Sequence, residues 1–163
     1  MKTLKLSLRA YAALALLLTA APASAEIGAD ARASIASFYD ALSTAPGKDV
    51  AALVKRATAP EWTSCGSNET CATRDQVIAN ISALQRAVPD LRWDIKELLA
   101  LGDRVIVRGE ATGTPIGDFR GALHSGRSFK LMSIDVHTVA GGKLVRSYHV
   151  EDWFGAIRQL SAP

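Results

Sequence analysis

The sequence of 163 residues has little of several features that would indicate particular classes of protein. Its N-terminal apolar run, Ala10–Ala21, has about 12 residues, whereas a membrane-spanning helix needs about 20. It contains no internal repeat, low-complexity tract or interdomain linker. It has only two cysteines, and no histidine or second cysteine pair lies near them, which disfavours a metal site. These absences favour one ordinary globular domain.

The first 25 residues resemble a cleavable signal peptide. A basic start, an apolar run and a small-residue cleavage site follow in order at Lys2, Lys5, Arg9, Ala10–Ala21 and Ala23–Ala25. The alternative is a first helix of the mature fold. We expect residues 1–25 to be removed and residues 26–163 to form one domain, periplasmic or secreted. The mature N-terminus would be Glu26, which excludes a lipid anchor on a cysteine there, so we expect no membrane attachment after cleavage.

Charge disfavours nucleic acid as a partner. The leader holds three of the 19 basic residues and none of the 16 acidic ones, so the mature chain has 16 of each sign. No basic run and no interleaving of arginine with aromatic residues remains. We therefore expect no nucleic-acid binding.

The cysteines lie in the segment Cys65-Gly-Ser-Asn-Glu-Thr-Cys71, whose small and polar residues permit a turn. In an exported protein this spacing favours a disulfide between Cys65 and Cys71. A metal site and a reactive thiol are the weaker alternatives.

The order of elements indicates an α+β fold. Residues 26–90 show helical patterns, including an apolar stripe in a helix from about Asp30 to Ser43 and a capping box from Thr73 to Gln76. Residues 91–152 show a run of strands, with hairpin turns at Gly102-Asp103 and Gly141-Gly142. A short helix, Trp153–Leu160, follows them.

The last hairpin predicts a mixed polar face. If Gly141-Gly142 is a two-residue turn and pairing continues without interruption, His137 lies opposite Arg146 and Asp135 lies opposite Tyr148. One face would then carry Leu131, Ser133, Asp135, His137, Arg146, Tyr148, Val150 and Asp152, as a ligand cavity would. On this register His149 points away from that face. The opposite face has an apolar centre of Met132, Ile134 and Val136, which needs to be covered.

Several segments resemble the SnoaL-like polyketide (ester) cyclase family, within the nuclear-transport-factor-2-like superfamily. The resemblance covers about residues 88–160, and its main segments are Arg108–Pro115, Ile134–His137, Gly142-Lys143 and Tyr148–Trp153. It implies a cone-shaped fold in which N-terminal helices pack on a strongly curved, mainly antiparallel sheet and enclose a pocket. It also implies a homodimer that covers the apolar sheet face, and no metal or organic cofactor.

The family uses a late carboxylate as acid/base, with a histidine nearby, in an intramolecular aldol closure. The matching residues are Asp152 and His137, with Asp152 as helix N-cap the alternative. His137 and Arg146 could polarise a carbonyl or lie exposed at the rim.

The other candidates also have structural alternatives. Tyr148 could donate to an oxyanion or form pocket wall, and Asp135 could bind substrate or pair with Arg146. Arg108 could bind substrate or form an ion pair with Glu110. Trp62 and Trp93 could line the pocket or belong to the core.

Taken together, these features predict an exported cyclase-type or isomerase-type protein acting on a hydrophobic carbonyl compound. The alternative is a non-catalytic binding or dimeric interaction domain of the same fold.

We predict that mass spectrometry of the protein recovered after export will find Glu26 as the first residue, because cleavage follows Ala25. An intact N-terminus on the exported protein would contradict the signal-peptide assignment.

Overall fold

The computed structural model describes residues 27–162 as four helices and one six-stranded sheet. In chain order the elements are α1 (Ala29–Leu42), α2 (Val50–Ala57), β1 (Thr58–Cys65), β2 (Cys71–Thr73), α3 (Arg74–Ala87), β3 (Arg92–Leu101), β4 (Arg104–Gly113), β5 (Phe129–Ala140), β6 (Lys143–Glu151) and α4 (Trp153–Leu160). Helices pack on a mostly antiparallel sheet, which confirms the predicted α+β class. The proposed signal peptide lies outside the described residues.

The sheet has the strand order β2-β1-β6-β5-β4-β3. Strands β3 to β6 form successive antiparallel hairpins, whereas β1 pairs with β6 in parallel. The parallel pairing brings the N-terminal part of the chain beside the last strand. Residues far apart in the sequence therefore meet at the centre of the sheet.

The helices follow their sequence signals closely. In α1, the apolar stripe of Ile35, Phe38 and Tyr39 is buried against the sheet. At the start of α3, the Thr73 backbone N–H donates to Gln76 Oε1 at 2.9 Å, and the Gln76 N–H donates to Thr73 Oγ1 at 3.4 Å. This reciprocal capping box satisfies backbone donors that the first turn leaves free.

The broad prediction of helical patterns over residues 26–90 was incomplete, because β1 and β2 lie within that range. Pro60 interrupts the pattern of β1, and no regular alternation marks either strand. Their conformation depends on partners, since Thr63, Ser64 and Cys65 pair with Arg146, Ser147 and Tyr148 of β6. Long-range pairing of this kind overrides local propensity.

Cys65 and Cys71 form the predicted disulfide. The two residues are direct partners in the β1–β2 ladder. The bridge therefore closes the short loop between these strands. No helix formed by residues 27–162 is long and apolar enough to cross a membrane.

The predicted register of the last hairpin was wrong beyond its first two pairs. The turn itself is as expected, with φ of 56° at Gly141 and 73° at Gly142, and Ala140 pairs with Lys143. The register then shifts, so that Val139 pairs with Leu144 but Thr138 pairs with Arg146. Val145 is left without a partner on β5, which is a β-bulge.

The bulge reverses the faces of β6 relative to β5. His137 lies opposite Ser147, and Asp135 lies opposite His149. The face toward the helices therefore carries Ser133, Asp135, His137, Ser147, His149 and Glu151. The outer face carries Met132, Ile134, Val136, Arg146, Tyr148 and Val150.

Candidate active site

A cavity of about 500 Å³ opens between the helices and the inner face of the sheet. Its apolar wall consists of Phe38, Leu42, Val77, Ile81, Leu84, Trp93 and Trp153. Its polar lining includes Ser64, Gln76, Asn80, Arg120, Asp135, His149 and Glu151. A mostly apolar wall with a few convergent polar groups is typical of a small-molecule site.

Asp135 is the most buried carboxyl group of the cavity lining, with a side chain only 6% exposed. Its Oδ2 accepts hydrogen bonds from the Tyr39 hydroxyl at 2.8 Å and the Ser133 hydroxyl at 3.1 Å. Burial is the largest influence on this carboxyl and raises its pKa to about 6, and the charge of Glu151 acts in the same direction. The two hydroxyl donors and His149 act in the opposite direction.

His137 lies behind Asp135 and is completely buried. Its Nε2 lies 3.3 Å from the Tyr39 hydroxyl oxygen, and its Nδ1 lies 2.7 Å from Ser147 Oγ. Burial and the neighbouring His149 lower its pKa to about 4, so the imidazole is neutral at pH 7. His137 therefore contacts the carboxyl site through Tyr39, and the cavity lining does not include it.

His149 lines the cavity on the strand next to Asp135. Its Nδ1 lies 3.1 Å from Ser64 Oγ. The ring packs against Gly66 so closely that an added Cβ there would lie 2.9 Å from Nε2. The glycine in the cysteine loop therefore makes room for the imidazole.

Glu151 and Arg120 occupy the α4 side of the cavity. Glu151 Oε2 accepts a hydrogen bond from Trp153 Nε1. The Arg120 guanidinium lies over the same indole, with Cζ 4.0 Å from the ring centroid. Arg120 has φ of 50° in a turn in which Phe119 and Ala122 are bridged, a left-handed conformation that is uncommon outside glycine.

The structure places Asp152 outside the cavity lining. It is exposed, and its Oδ1 accepts the Gly155 N–H at 2.8 Å as the N-cap of α4. This is the structural alternative recognised from the sequence.

Three other candidates lie on the outer face of the sheet. Arg146 and Tyr148 point away from the cavity because of the bulge, and they contact each other at 3.1 Å. Of the two alternatives for Asp135, pairing with Arg146 is therefore wrong, because the two residues lie on opposite faces of the sheet. Arg108 pairs with Glu97 at 3.1 Å and not with Glu110, which instead contacts Lys96 and Lys130.

The two tryptophan candidates have different positions. Trp62 is 1% exposed, and its Nε1 donates to Ser147 Oγ at 2.9 Å, so it belongs to the core behind the site. Trp93 lines the cavity. Within residues 27–162 its buried Nε1–H has no acceptor.

Four residues of the site, His149, Glu151, Tyr39 and Arg120, were not predicted from the sequence. His149 was predicted to lie on the opposite face, because an uninterrupted register omits the bulge. A hydroxyl on the buried stripe of α1 was a signal for Tyr39, since a buried tyrosine usually has a polar partner. Among the described residues, no group of three or more His, Cys, Asp and Glu is arranged to hold a metal ion.

Comparison with known proteins places these features in a family context. Residues 34–160 match the family model described as SnoaL-like polyketide cyclase. No curated protein sequence matches the chain at a significant level.

Several solved structures have the same fold. A SnoaL-like polyketide cyclase candidate from a Jannaschia species is 20% identical with a TM-score of 0.69, over 82% of this chain and 93% of its own. IdmH from Streptomyces antibioticus, a proposed polyketide cyclase, is 23% identical with a TM-score of 0.69, over 81% and 99%. AclR from Streptomyces galilaeus, a proposed hydroxylase, is 20% identical with a TM-score of 0.68, over 83% and 98%. At these identities the likeness shows the fold.

The raised pKa of Asp135 predicts a pH-dependent effect of Asp135→Asn on stability. A carboxyl whose pKa rises from 3.8 to about 6 on folding favours the folded state fully below pH 4, and this contribution disappears as the pH rises through 6. The shift corresponds to about 3 kcal/mol. The free energy of unfolding of Asp135→Asn, relative to wild type, should therefore increase by about 2.4 kcal/mol between pH 4 and pH 8, because an unfolded carboxyl with a pKa of 3.8 is already more than half ionised at pH 4.

Denaturant unfolding at several pH values measures this difference. The lowered pKa of His137 has the opposite effect, since its contribution is lost as the pH falls below about 6.5, but it is common to both proteins and cancels. Asp152→Asn is the matched control, because Asn is nearly as good an N-cap at this exposed position. A pH-independent difference for Asp135→Asn would contradict the prediction.

Proposed function

Because the chain belongs to the SnoaL-like polyketide cyclase family, we propose that its cavity binds a hydrophobic carbonyl compound and that Asp135 removes a proton from the carbon beside the carbonyl. The observation that carries this proposal is the buried Asp135 carboxyl group, which lines the cavity and has a pKa raised to about 6. The chain would act as an exported ester or polyketide cyclase-type enzyme.

The size and lining of the cavity support the class of ligand. A volume of about 500 Å³ is within the usual range for small-molecule sites. Aromatic and aliphatic side chains from α1, α3, β3 and α4 form most of the wall. An apolar ring system or chain would gain from burial there, while its carbonyl groups face the polar side chains of β5 and β6.

The properties of Asp135 suit a general base. A carboxylate with a pKa near 6 is still mostly ionised at pH 7 but is a better proton acceptor than one with an ordinary pKa. The Tyr39 and Ser133 hydroxyl groups both donate to Oδ2. Among the described contacts Oδ1 has no hydrogen-bond donor, so it is the oxygen assigned to the substrate proton.

His149 can assist the same step from the neighbouring strand. Asp135 and His149 are direct cross-strand partners, and such partners place their Cβ atoms about 5 Å apart. When Asp135 takes the proton, the electron pair of the broken C–H bond moves toward the carbonyl oxygen. A ring N–H of His149 would stabilise the resulting enolate.

The enolate carbon then attacks a second carbonyl group of the same molecule and forms the new C–C bond. The alkoxide produced takes up a proton, for which protonated Asp135 is the nearby source. The closure is therefore neutral in protons and needs no external oxidant or reductant. The charge of Glu151 raises the pKa of Asp135 and so favours the proton-bound form of that carboxyl.

The proposal also includes export of the protein and its self-association. The leader-like segment of residues 1–25 and the disulfide both suit an oxidising compartment. The outer face of the sheet exposes Met132 by 54%, Ile134 by 38% and Val150 by 73%. A second copy of the chain on this face would remove that apolar surface from water.

Asp135→Asn should lower turnover about 100-fold or more, because it retains the hydroxyl contacts at Oδ but removes the proton acceptor. Binding should change little. The assay uses a panel of hydrophobic carbonyl compounds tested for both binding and conversion. Asp152→Asn is the control and should keep full turnover. Full conversion by Asp135→Asn would refute the mechanism, and ligand binding without turnover in wild type would instead support a binding domain.

Ile134→Asp should convert a dimer to monomer, because it introduces a charge into the centre of the outer sheet face. Light scattering at high micromolar concentration measures the change. Leu123→Asp, which alters an exposed apolar residue away from the sheet, should remain dimeric. A monomeric wild-type protein would exclude this interface.

A further inference from the structure

A chain of hydrogen bonds leads from the core to the carboxyl group of Asp135. Its contacts are Trp62 Nε1 to Ser147 Oγ at 2.9 Å, Ser147 Oγ to His137 Nδ1 at 2.7 Å, His137 Nε2 to the Tyr39 hydroxyl at 3.3 Å, and that hydroxyl to Asp135 Oδ2 at 2.8 Å. All five side chains are at least nine-tenths buried. The donors and acceptors must therefore match within the chain.

The direction of the chain is set at its first residue. The indole N–H of Trp62 can only donate, so Ser147 Oγ accepts from it. The hydroxyl hydrogen of Ser147 is then available for His137 Nδ1, its other partner. The tryptophan thus makes Nδ1 of His137 an acceptor.

The remaining donors follow from the neutral state of His137. A neutral imidazole that accepts at Nδ1 carries its single proton on Nε2, which donates to the Tyr39 oxygen. The Tyr39 O–H is then directed to Asp135 Oδ2. The ionised carboxyl group, which can only accept, requires the same direction from the other end.

We infer that Trp62, Ser147 and His137 are positioning residues for the proposed base, since they hold Tyr39 as a donor to Asp135 Oδ2 and leave Oδ1 for the substrate. This inference rests on the proposed function of Asp135. None of the three residues belongs to the cavity lining. They act through Tyr39 and touch no reacting atom.

Other groups also face Asp135 and must be considered in any titration. Glu151 and His149 lie on the neighbouring strand β6, and their charges raise and lower the Asp135 pKa, respectively. Ser133 donates from its own strand, and Tyr39 donates from α1. Variants that leave these four residues unchanged therefore isolate the contribution of Trp62 and Ser147, which lie at the far end of the hydrogen-bond chain from Asp135.

The test measures two properties of the mature protein without any ligand. Ring-nitrogen NMR assigns the tautomer of His137, and carboxyl-carbon NMR follows the titration of Asp135. In wild type we expect the Nε2–H tautomer. Tyr39→Phe removes a hydrogen bond to the ionised carboxylate and should reduce the acid dissociation constant of Asp135 about tenfold.

Ser147→Ala should act on Asp135 from a distance. It removes the donor to His137 Nδ1, so the second tautomer should become populated and the acid dissociation constant of Asp135 should fall about twofold through weaker polarisation of the chain. Ser147→Thr keeps the hydroxyl and should restore both properties. Ser37→Ala is the matched control, because Ser37 is a buried serine whose hydroxyl donates to the Leu53 carbonyl, outside the chain.

Trp62→Phe is a second test of the hydrogen bonds at the Trp62–Ser147 end, since it retains an aromatic ring but removes the N–H. An Nδ1–H tautomer in wild type would overturn the inference. So would unchanged His137 and Asp135 signals in folded Ser147→Ala and Trp62→Phe. If those signals change as expected while Asp135→Asn retains full turnover, the proposed function fails, and the donor-to-acceptor order of the hydrogen bonds from Trp62 to Asp135 is still supported.

Discussion

The arrangement of the cavity depends on Val145, the residue of β6 that has no partner on β5. With this extra residue, His149 and Glu151 face the helices beside Asp135, and Arg146 and Tyr148 face outward. With uninterrupted pairing, Arg146 and Tyr148 would face the helices and His149 and Glu151 would face outward, because side chains alternate between the faces of a strand. The same strand also pairs in parallel with β1, which brings Ser64 to His149. The polar half of the cavity is thus assembled around one irregularity in the sheet.

The inner face combines polar groups with deep burial, and this combination has an energetic cost. Burying the Asp135 carboxylate disfavours its ionised form, while the Tyr39 and Ser133 hydroxyl groups offset part of that cost. His137 remains neutral and shares Tyr39 with Asp135. Such a network is favourable only when every donor has an acceptor. The hydroxyl groups that satisfy the carboxylate therefore stabilise the core, and they also limit the increase in basicity that burial gives to Asp135.

Membership in the SnoaL-like polyketide cyclase family establishes the fold of this chain but does not identify the reaction. Structures described as proposed cyclases and as a proposed hydroxylase share this fold at 20–23% identity. One scaffold can hold many functions, so the reaction has to be argued from the side chains of the cavity. In this chain the proposed base is Asp135, and His149 and Glu151 line the cavity beside it. The wall formed by the cysteine loop, where Gly66 makes room for the His149 ring, is also part of this site.

The sequence by itself determined the elements whose signals are local. The stripe of Ile35, Phe38 and Tyr39, the capping box at Thr73, the Gly141-Gly142 turn and the Cys65–Cys71 bridge all depend on residues close together in the chain, and all are confirmed. The family resemblance is confirmed as well. Only the tertiary structure decided which carboxyl group lines the cavity. That choice depends on a bulge without a local sequence signal and on the parallel pairing of β1 with β6, so Asp152 became a helix cap and Asp135 became the buried acid. Pairing between distant strands is a property of the packed sheet. It cannot be inferred from the alternation of residues along one strand.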